Sequence, residues 1–312
     1  MVRPERARLQ AAASAIITPV RIGVALPNYG PLAGPDSLVR LAQHAEELGA
    51  DGIWVSDHLV APVDARSVYP YGPAAPRGPT RLGIIEEFYE PLVTLAFLAG
   101  HTRTVRLGVS AYVMPYRNPV LTAKHVATLD ALSGGRVVLA VGTGWLREEF
   151  VALDVPFAGR GRRTDDYLAV CRALWAGGVA THDAPSYRLP PVRTGPLPAQ
   201  RPHPPIWIAG NSPAALTRAA RIGDGWHGID LAPVELAAHV GRLRAACESS
   251  GRDPGAVRVT LRRRDTADAL RRELDAYRAA GLEDLVVGLP RSDDLGEAMR
   301  ALDDVLRALL TS

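Results

Sequence analysis

Cysteine is scarce in this chain. Only Cys171 and Cys247 occur, neither in a Cys-x-x-Cys or Cys/His spacing, which excludes a disulfide framework and a structural zinc site. Both fall in helix-like segments and read as packing residues of a reducing compartment. Long apolar runs are missing as well: no stretch reaches the roughly 18 apolar residues that a membrane span requires. There is no Lys/Arg cluster interleaved with aromatics, and 36 basic against 33 acidic residues leave a net charge of +3. A nucleic-acid or membrane-surface partner therefore has no footprint. No Gly-x-Gly-x-x-Gly follows the first strand-like run, which argues against a doubly wound dinucleotide fold. Residues 1–20 place Arg3, Arg6 and Arg8 before an Ala/Ile stretch interrupted by Ser14 and Thr18. That stretch is too brief for an export signal and reads as a flexible leader on a cytoplasmic protein.

What is present is enough apolar material for one large core: 312 residues, 47% hydrophobic and 22% charged. Strand-like runs at 21–26, 52–56, 105–113, 137–141, 206–209, 225–229, 257–261 and 284–288 alternate with helix-like stretches. Strict alternation selects an all-parallel α/β fold, and the count selects a (β/α)8 TIM barrel formed by a single domain over residues 21–312. Asp36-Ser37 is expected to cap the first helix, and Asn118-Pro119 the helix running through Leu132. Two long Pro/Gly-rich segments, near 59–90 and 177–205, read as insertions at the carboxyl-terminal face that cover a site.

The site is expected where strands end. Gly52-Ile53-Trp54-Val55-Ser56 is an apolar run that stops abruptly in Asp57-His58, placing a carboxylate and an imidazole at the barrel mouth. Gly142-Thr143-Gly144-Trp145 ends the fourth run, where, from the pattern alone, a simple strand-to-helix turn is a better reading than a ligand contact. Gly210-Asn211-Ser212-Pro213 combines small residues, a capping hydroxyl and proline at the first helical position, a bare helix N-terminus suited to phosphate.

These motifs, with Pro115-Tyr116-Arg117-Asn118-Pro119, Leu129-Asp130-x-Leu132-Ser133-Gly134-Gly135-Arg136 and Gly223-Asp224-Gly225-Trp226, resemble those of the luciferase-like monooxygenase superfamily, over roughly residues 21–230. Within it they are most similar to the coenzyme F420-dependent oxidoreductases of actinobacteria. The resemblance implies a deazaflavin across the barrel mouth and hydride transfer at its C5 carbon. It also implies Asp57 against the ring system, His58 near C5 as acid/base or orienting group, and Gly142, Thr143 and Gly144 beside the ring. Gly210, Asn211 and Ser212 would meet the phosphate of the cofactor tail, and Ser110-Ala111 would be a cis peptide behind the central ring. Trp145, where the sugar-phosphate dehydrogenase branch carries glutamate, points to a more apolar substrate and joins Asp57 and His58 as a catalytic candidate.

The expected function is thus F420-dependent hydride transfer to or from a carbonyl, alcohol or activated alkene. An FMN-dependent luciferase-like monooxygenase is the alternative, and a non-catalytic flavin-binding barrel a third reading. No metal is expected, the partner is a small-molecule substrate, and a homodimer is the assembly considered.

Overall fold

The computed structural model describes residues 19–71 and 87–310. Almost all of the expected leader, and residues 72–86 of the first long segment, lie outside the described residues. Eight strands close into a barrel: β1 (Arg21–Ala25), β2 (Gly52–Val55), β3 (Arg106–Val113), β4 (Val137–Gly142), β7 (Ile206–Ala209), β8 (Gly225–Ile229), β9 (Arg258–Arg263) and β10 (Asp284–Gly288). Their order is β1-β10-β9-β8-β7-β4-β3-β2, with every neighbouring pair parallel. Helices α1 (Pro35–Glu47), α2 (Pro91–Ala99), α3 (Pro119–Leu132), α4 (Arg147–Ala152), α5 (Arg160–Trp175), α6 (Pro213–Ile222), α7 (Pro233–Ser249), α8 (Ala267–Ala279) and α9 (Leu295–Leu310) form the connections. The fold is the (β/α)8 barrel expected from the alternation. Among the described residues no helix is long and apolar enough to cross a membrane.

The barrel interior is filled by aromatic rings, and glycine makes room for them. Trp54 stacks on Trp207 with centroids 5.1 Å apart and on His227 at 5.9 Å. A Cβ on Gly108 would stand 2.2 Å from the Trp54 ring, and one on Gly225 would stand 2.6 Å from Trp207. Gly108, unremarkable as part of a strand pattern, is thus fixed by packing: no larger residue fits beside the indole.

Below these rings the amino-terminal end of the barrel closes on one buried carboxylate. Asp284 receives Arg106 Nη2 at 2.6 Å and Arg21 Nε at 3.4 Å, and it also pairs with Arg258. Asp130 and Arg136 of the Leu129–Arg136 motif serve the same end. Asp130 accepts from Gln200 N and Nε2 at 2.9 and 2.7 Å, while Arg136 donates to the carbonyls of Ala99, Thr102 and Val105.

Two expectations need correction. Helix α1 begins earlier than expected: Pro35 occupies its first position behind Gly34, and neither Asp36 nor Ser37 caps it, because proline pre-sets the helical φ with no amide to satisfy. Asn118 does cap α3, accepting from Val120 N and Leu121 N. The 177–205 segment is also not a cover. It holds an antiparallel hairpin, β5 (Ala180–Ala184) and β6 (Tyr187–Val192), where Tyr187 meets Tyr167 of α5 ring to ring at 5.7 Å. It then descends to Gln200, whose bonds to Asp130 and Val137 lie at the opposite end of the barrel from the mouth.

Candidate active site

The carboxyl ends of the strands surround a cavity of about 1540 Å³. It is larger than the usual 300–1,000 Å³ of a single small-ligand pocket, so it has room for a cofactor and a substrate together. Asp57, His58, Ser110, Ala111, Gly142, Thr143, Gly144, Trp145, Gly210, Asn211 and Ser212 all line it. Strand ends therefore bring together every residue singled out from the sequence.

Their roles divide on inspection of the bonds. Both Asp57 oxygens are engaged: Arg117 donates to them at 2.8 and 2.9 Å, and Val113 N donates at 2.8 Å. Burial works against the Arg117 charge, but Asp57 outweighs it and holds the guanidinium pKa above its ordinary value. With Glu90 also 3.0 Å from Arg117, this cluster joins the β2 and β3 ends to the start of α2. Asp57 meets the cavity as a neutralised, fixed edge.

His58 is held differently. Its Nδ1 lies 2.8 Å from Oε2 of Glu149, a fully buried residue at the start of α4. Glu149 also accepts from Tyr116 Oη at 2.8 Å and from Leu59 N at 2.5 Å. Burial opposes its charge, yet the bonds from His58, Leu59 and Tyr116 outweigh it and keep its pKa below the ordinary 4.5. An ionised carboxylate on Nδ1 fixes that nitrogen as the N–H. Nε2, which has no partner among the described residues, is left to the cavity that the ring lines. Glu148, next in sequence, accepts from Arg66 N and Ser67 N at 2.8 and 3.1 Å. The pair thereby ties both ends of the 59–67 loop to α4.

Around His58 the wall is aromatic. Phe88 meets its ring edge-on at 5.4 Å and Trp145 at 6.1 Å. Tyr69 continues the wall at 5.3 Å from Trp145, and Tyr71 stands 5.4 Å from Tyr69. Burial pushes the Tyr71 hydroxyl up to about 12. Among the described residues Trp145 makes no side-chain hydrogen bond; it shapes an apolar face.

The other side is small and polar. The Ser110-Ala111 peptide is cis, as the resemblance implies, and lies at the β3 bulge where the pairing with β4 shifts register between Ser110 and Tyr112. Gly142 faces Ala111, with a Cβ there only 3.4 Å away. Gly144 needs a different explanation from the one its motif suggests: at φ +82° its Cβ would stand 2.7 Å from Phe150 and 2.8 Å from Val113. It is glycine for the turn and the core behind it, not for ligand clearance.

The Gly210–Pro213 turn is held rigidly. Gly210 N donates to His227 O at 3.0 Å, and Trp226 Nε1 donates to Gly210 O at 2.8 Å. The Asn211 side chain is consumed by both backbone groups of Ile229. Ser212 Oγ caps Ala215 N, so at this helix start the Ser212 and Ala214 amides are the ones without a partner among the described residues. Arg218 and Arg160 also line the cavity, Arg218 with its guanidinium held by Asp165 and the Gly161 carbonyl.

Small side chains on one wall, a fixed amide cradle and a roomy mouth fit a flat tricyclic ring with a phosphate tail. A family model for luciferase-like monooxygenases matches residues 14–307, and the chain belongs to that family, whose members are oxidoreductases and monooxygenases. A protein of undetermined function from Mycobacterium tuberculosis is 32% identical over 272 residues, covering 87% of this chain and 91% of its own. The phthiodiolone/phenolphthiodiolone dimycocerosates ketoreductase of the same organism is 34% identical over 238 residues, 72% of this chain and 61% of its own. Among solved structures, the F420-dependent tetrahydromethanopterin reductase of Methanopyrus kandleri superimposes with a TM-score of 0.75 at 16% identity, over 94% of this chain and 99% of that one. At that identity the likeness is one of fold.

Proposed function

We propose that the protein uses coenzyme F420 to move a hydride between the deazaflavin C5 and a small, largely apolar alcohol or carbonyl compound. The observation that carries this reading is the His58–Glu149 pair, which leaves one imidazole nitrogen facing a cavity with an aromatic wall. In the oxidising direction His58 Nε2 takes the hydroxyl proton as the substrate C–H bond gives up its hydride, and Glu149 stabilises the imidazolium. In the reducing direction the same atom returns the proton to the carbonyl oxygen. The cofactor, when bound, supplies the two-electron carrier. Ser212 and Ala214 amides would hold its phosphodiester, and Arg264 and Arg291 on the cavity rim suit the acidic tail beyond it. The ketoreductase relative fits a carbonyl substrate. Free buried thiols at Cys171 and Cys247 fit a cytoplasmic setting.

One observation favours a second reading, an FMN-dependent monooxygenase. Arg160 and Arg218 line the same cavity as the turn, and a terminal phosphate with nearly two charges calls for such a guanidinium. Fluorescence titration with both cofactors tests the choice. F420 should bind at micromolar concentration or tighter and FMN at least about tenfold more weakly, about 1.4 kcal/mol. Tighter FMN binding with oxygen-dependent turnover would establish the second reading instead.

A further inference from the structure

The cavity floor holds a cation that the proton chemistry of His58 does not use. Arg262 leaves β9 and reaches across the mouth, its two terminal nitrogens each 3.1 Å from Ser56 Oγ at the end of β2. Nη1 also donates to the backbone carbonyl of Ser110, at the β3 bulge. In barrel order β9 and β3 are four places apart, on opposite walls. The guanidinium therefore lies near the barrel axis, under whatever lies across the mouth.

Its charge is not answered by the protein. Arg263 pairs with Asp265 and Arg264 with Asp230 at 2.5 Å, whereas Arg262 has no carboxylate partner among the described residues. A hydroxyl and a carbonyl accept three hydrogen bonds from its terminal nitrogens and leave the charge whole. Among the described residues the layer directly beneath it holds no carboxylate, and Asp284, further down, is already paired with arginines. The layer below is Trp54, Trp207 and His227, and His227 is kept neutral by burial and by Arg262 itself, its pKa pushed down to about 3. Thr260 donates to Trp226 O and so accepts from His227 Nδ1, which leaves Nε2 to accept from the Ser110 hydroxyl. The Ser56 hydroxyl, the Ser110 carbonyl and the His227 ring are thus neutral and already oriented. An unpaired, partly buried guanidinium kept at a ligand cavity awaits a negative charge from the ligand.

We propose that Arg262 is the electrostatic partner of the reduced cofactor ring, taking the negative charge that develops on the N1–C2=O edge of its pyrimidine. The proposal rests on the cofactor reading above and holds for a deazaflavin or a flavin, which share that edge. In alcohol oxidation the substrate C–H bond breaks with its electron pair and the hydrogen passes to the ring. The O–H proton goes to His58 Nε2, and the ring gains one unit of negative charge. In carbonyl reduction the ring gives up that hydride and its extra charge together. A fixed cation at this place stabilises the reduced form more than the oxidised one, without reorganising as charge moves. A mere strut between β9, β2 and β3 would leave that balance untouched.

The test compares the unsubstituted protein with Arg262→Gln and Arg262→Lys, measuring the dissociation constants of the oxidised and the anaerobically reduced cofactor, F420 or FMN, whichever binds. The unsubstituted protein should hold the reduced form more tightly than the oxidised. Arg262→Gln should weaken the reduced form about tenfold more than the oxidised, a fall in midpoint potential of about 30 mV for a two-electron couple. Arg262→Lys should keep most of the preference. An unchanged ratio in Arg262→Gln overturns the assignment. Should that variant fail to fold, the unsubstituted protein still decides, because equal or weaker binding of its reduced cofactor overturns the assignment as well. Failure of both cofactors to bind the unsubstituted protein would instead overturn the cofactor reading, and this inference with it.

Discussion

The two ends of the barrel are both rich in charge, and they treat it in opposite ways. At the amino-terminal end Asp284, 1% exposed, gathers Arg21, Arg106 and Arg258, while Arg136 spends its donors on backbone carbonyls. Charge there closes on charge within the protein. At the mouth Asp57 is closed in the same manner by Arg117, but His58 Nε2, the Arg262 guanidinium and the Ser212 and Ala214 amides are held firmly by their other contacts and left open toward the cavity. What separates a structural end from a reactive one is therefore not the presence of ionisable residues, since both ends have them. It is whether the last hydrogen-bonding valence points at protein or at space.

The comparison can be broken at its most reactive point first. His58→Ala should lower hydride transfer by about 10²- to 10⁴-fold while cofactor affinity changes little, since the imidazole handles a proton and not the phosphate tail. Single-turnover stopped-flow absorbance reads this directly. A rate within a few-fold of the parent would remove His58 from the mechanism.

The opposite end should answer in the opposite currency. Asp284→Asn takes the charge partner from Arg21 and Arg106 and leaves Arg258 only Glu283, and removing one partner of a buried ion cluster costs roughly 3 to 5 kcal/mol of stability. Denaturant unfolding should show that loss, with cofactor affinity in the surviving folded protein unaltered. A variant of normal stability but impaired cofactor binding would mean that the two ends are not separable as described.

Much of the mouth could be read in the sequence because strand ends announce themselves: an apolar run that stops in Asp57-His58 leaves few other places for those side chains. The helix starts at Asn118-Pro119 and Ser212-Pro213 were equally legible, since capping chemistry is local. What escaped was set by distance. Glu149 lies 91 positions from His58, and within Arg147-Glu148-Glu149 it looks like the usual acidic first turn of a helix. Its burial is the only sign that it does more, and that is a property of the fold. Arg262 hides in the same way inside Leu261-Arg262-Arg263-Arg264-Asp265, a run that resembles a solvated charged edge until the alternation of β9 sends one arginine inward. The path of the 177–205 segment was equally hidden: its prolines announce an irregular course without saying toward which end of the barrel it runs.

The smallest effect tests how finely the open valence is tuned. Tyr116 Oη donates at 2.8 Å to Glu149 Oε2, the oxygen that also receives His58 Nδ1. In Tyr116→Phe the carboxylate keeps His58 and the Leu59 amide but loses one donor. A hydrogen bond to a charged group contributes roughly 1.5 to 3 kcal/mol, so the variant should be about 1.5 kcal/mol less stable at neutral pH. The loss should shrink in acid, and the sign follows from the pKa. Because the folded-state pKa of Glu149 lies below its ordinary 4.5, its contribution is complete above that value and disappears as pH falls through the folded one. Deleting a donor to the charged form brings the folded pKa back toward 4.5. The variant therefore has less to lose, and the two stability curves should converge as pH falls through the lowered folded-state pKa of Glu149. Urea unfolding at pH 7 and again near pH 3 measures both points. An equal deficit at the two pH values would show that Tyr116 acts through packing against Phe150 and not through the carboxylate that holds His58.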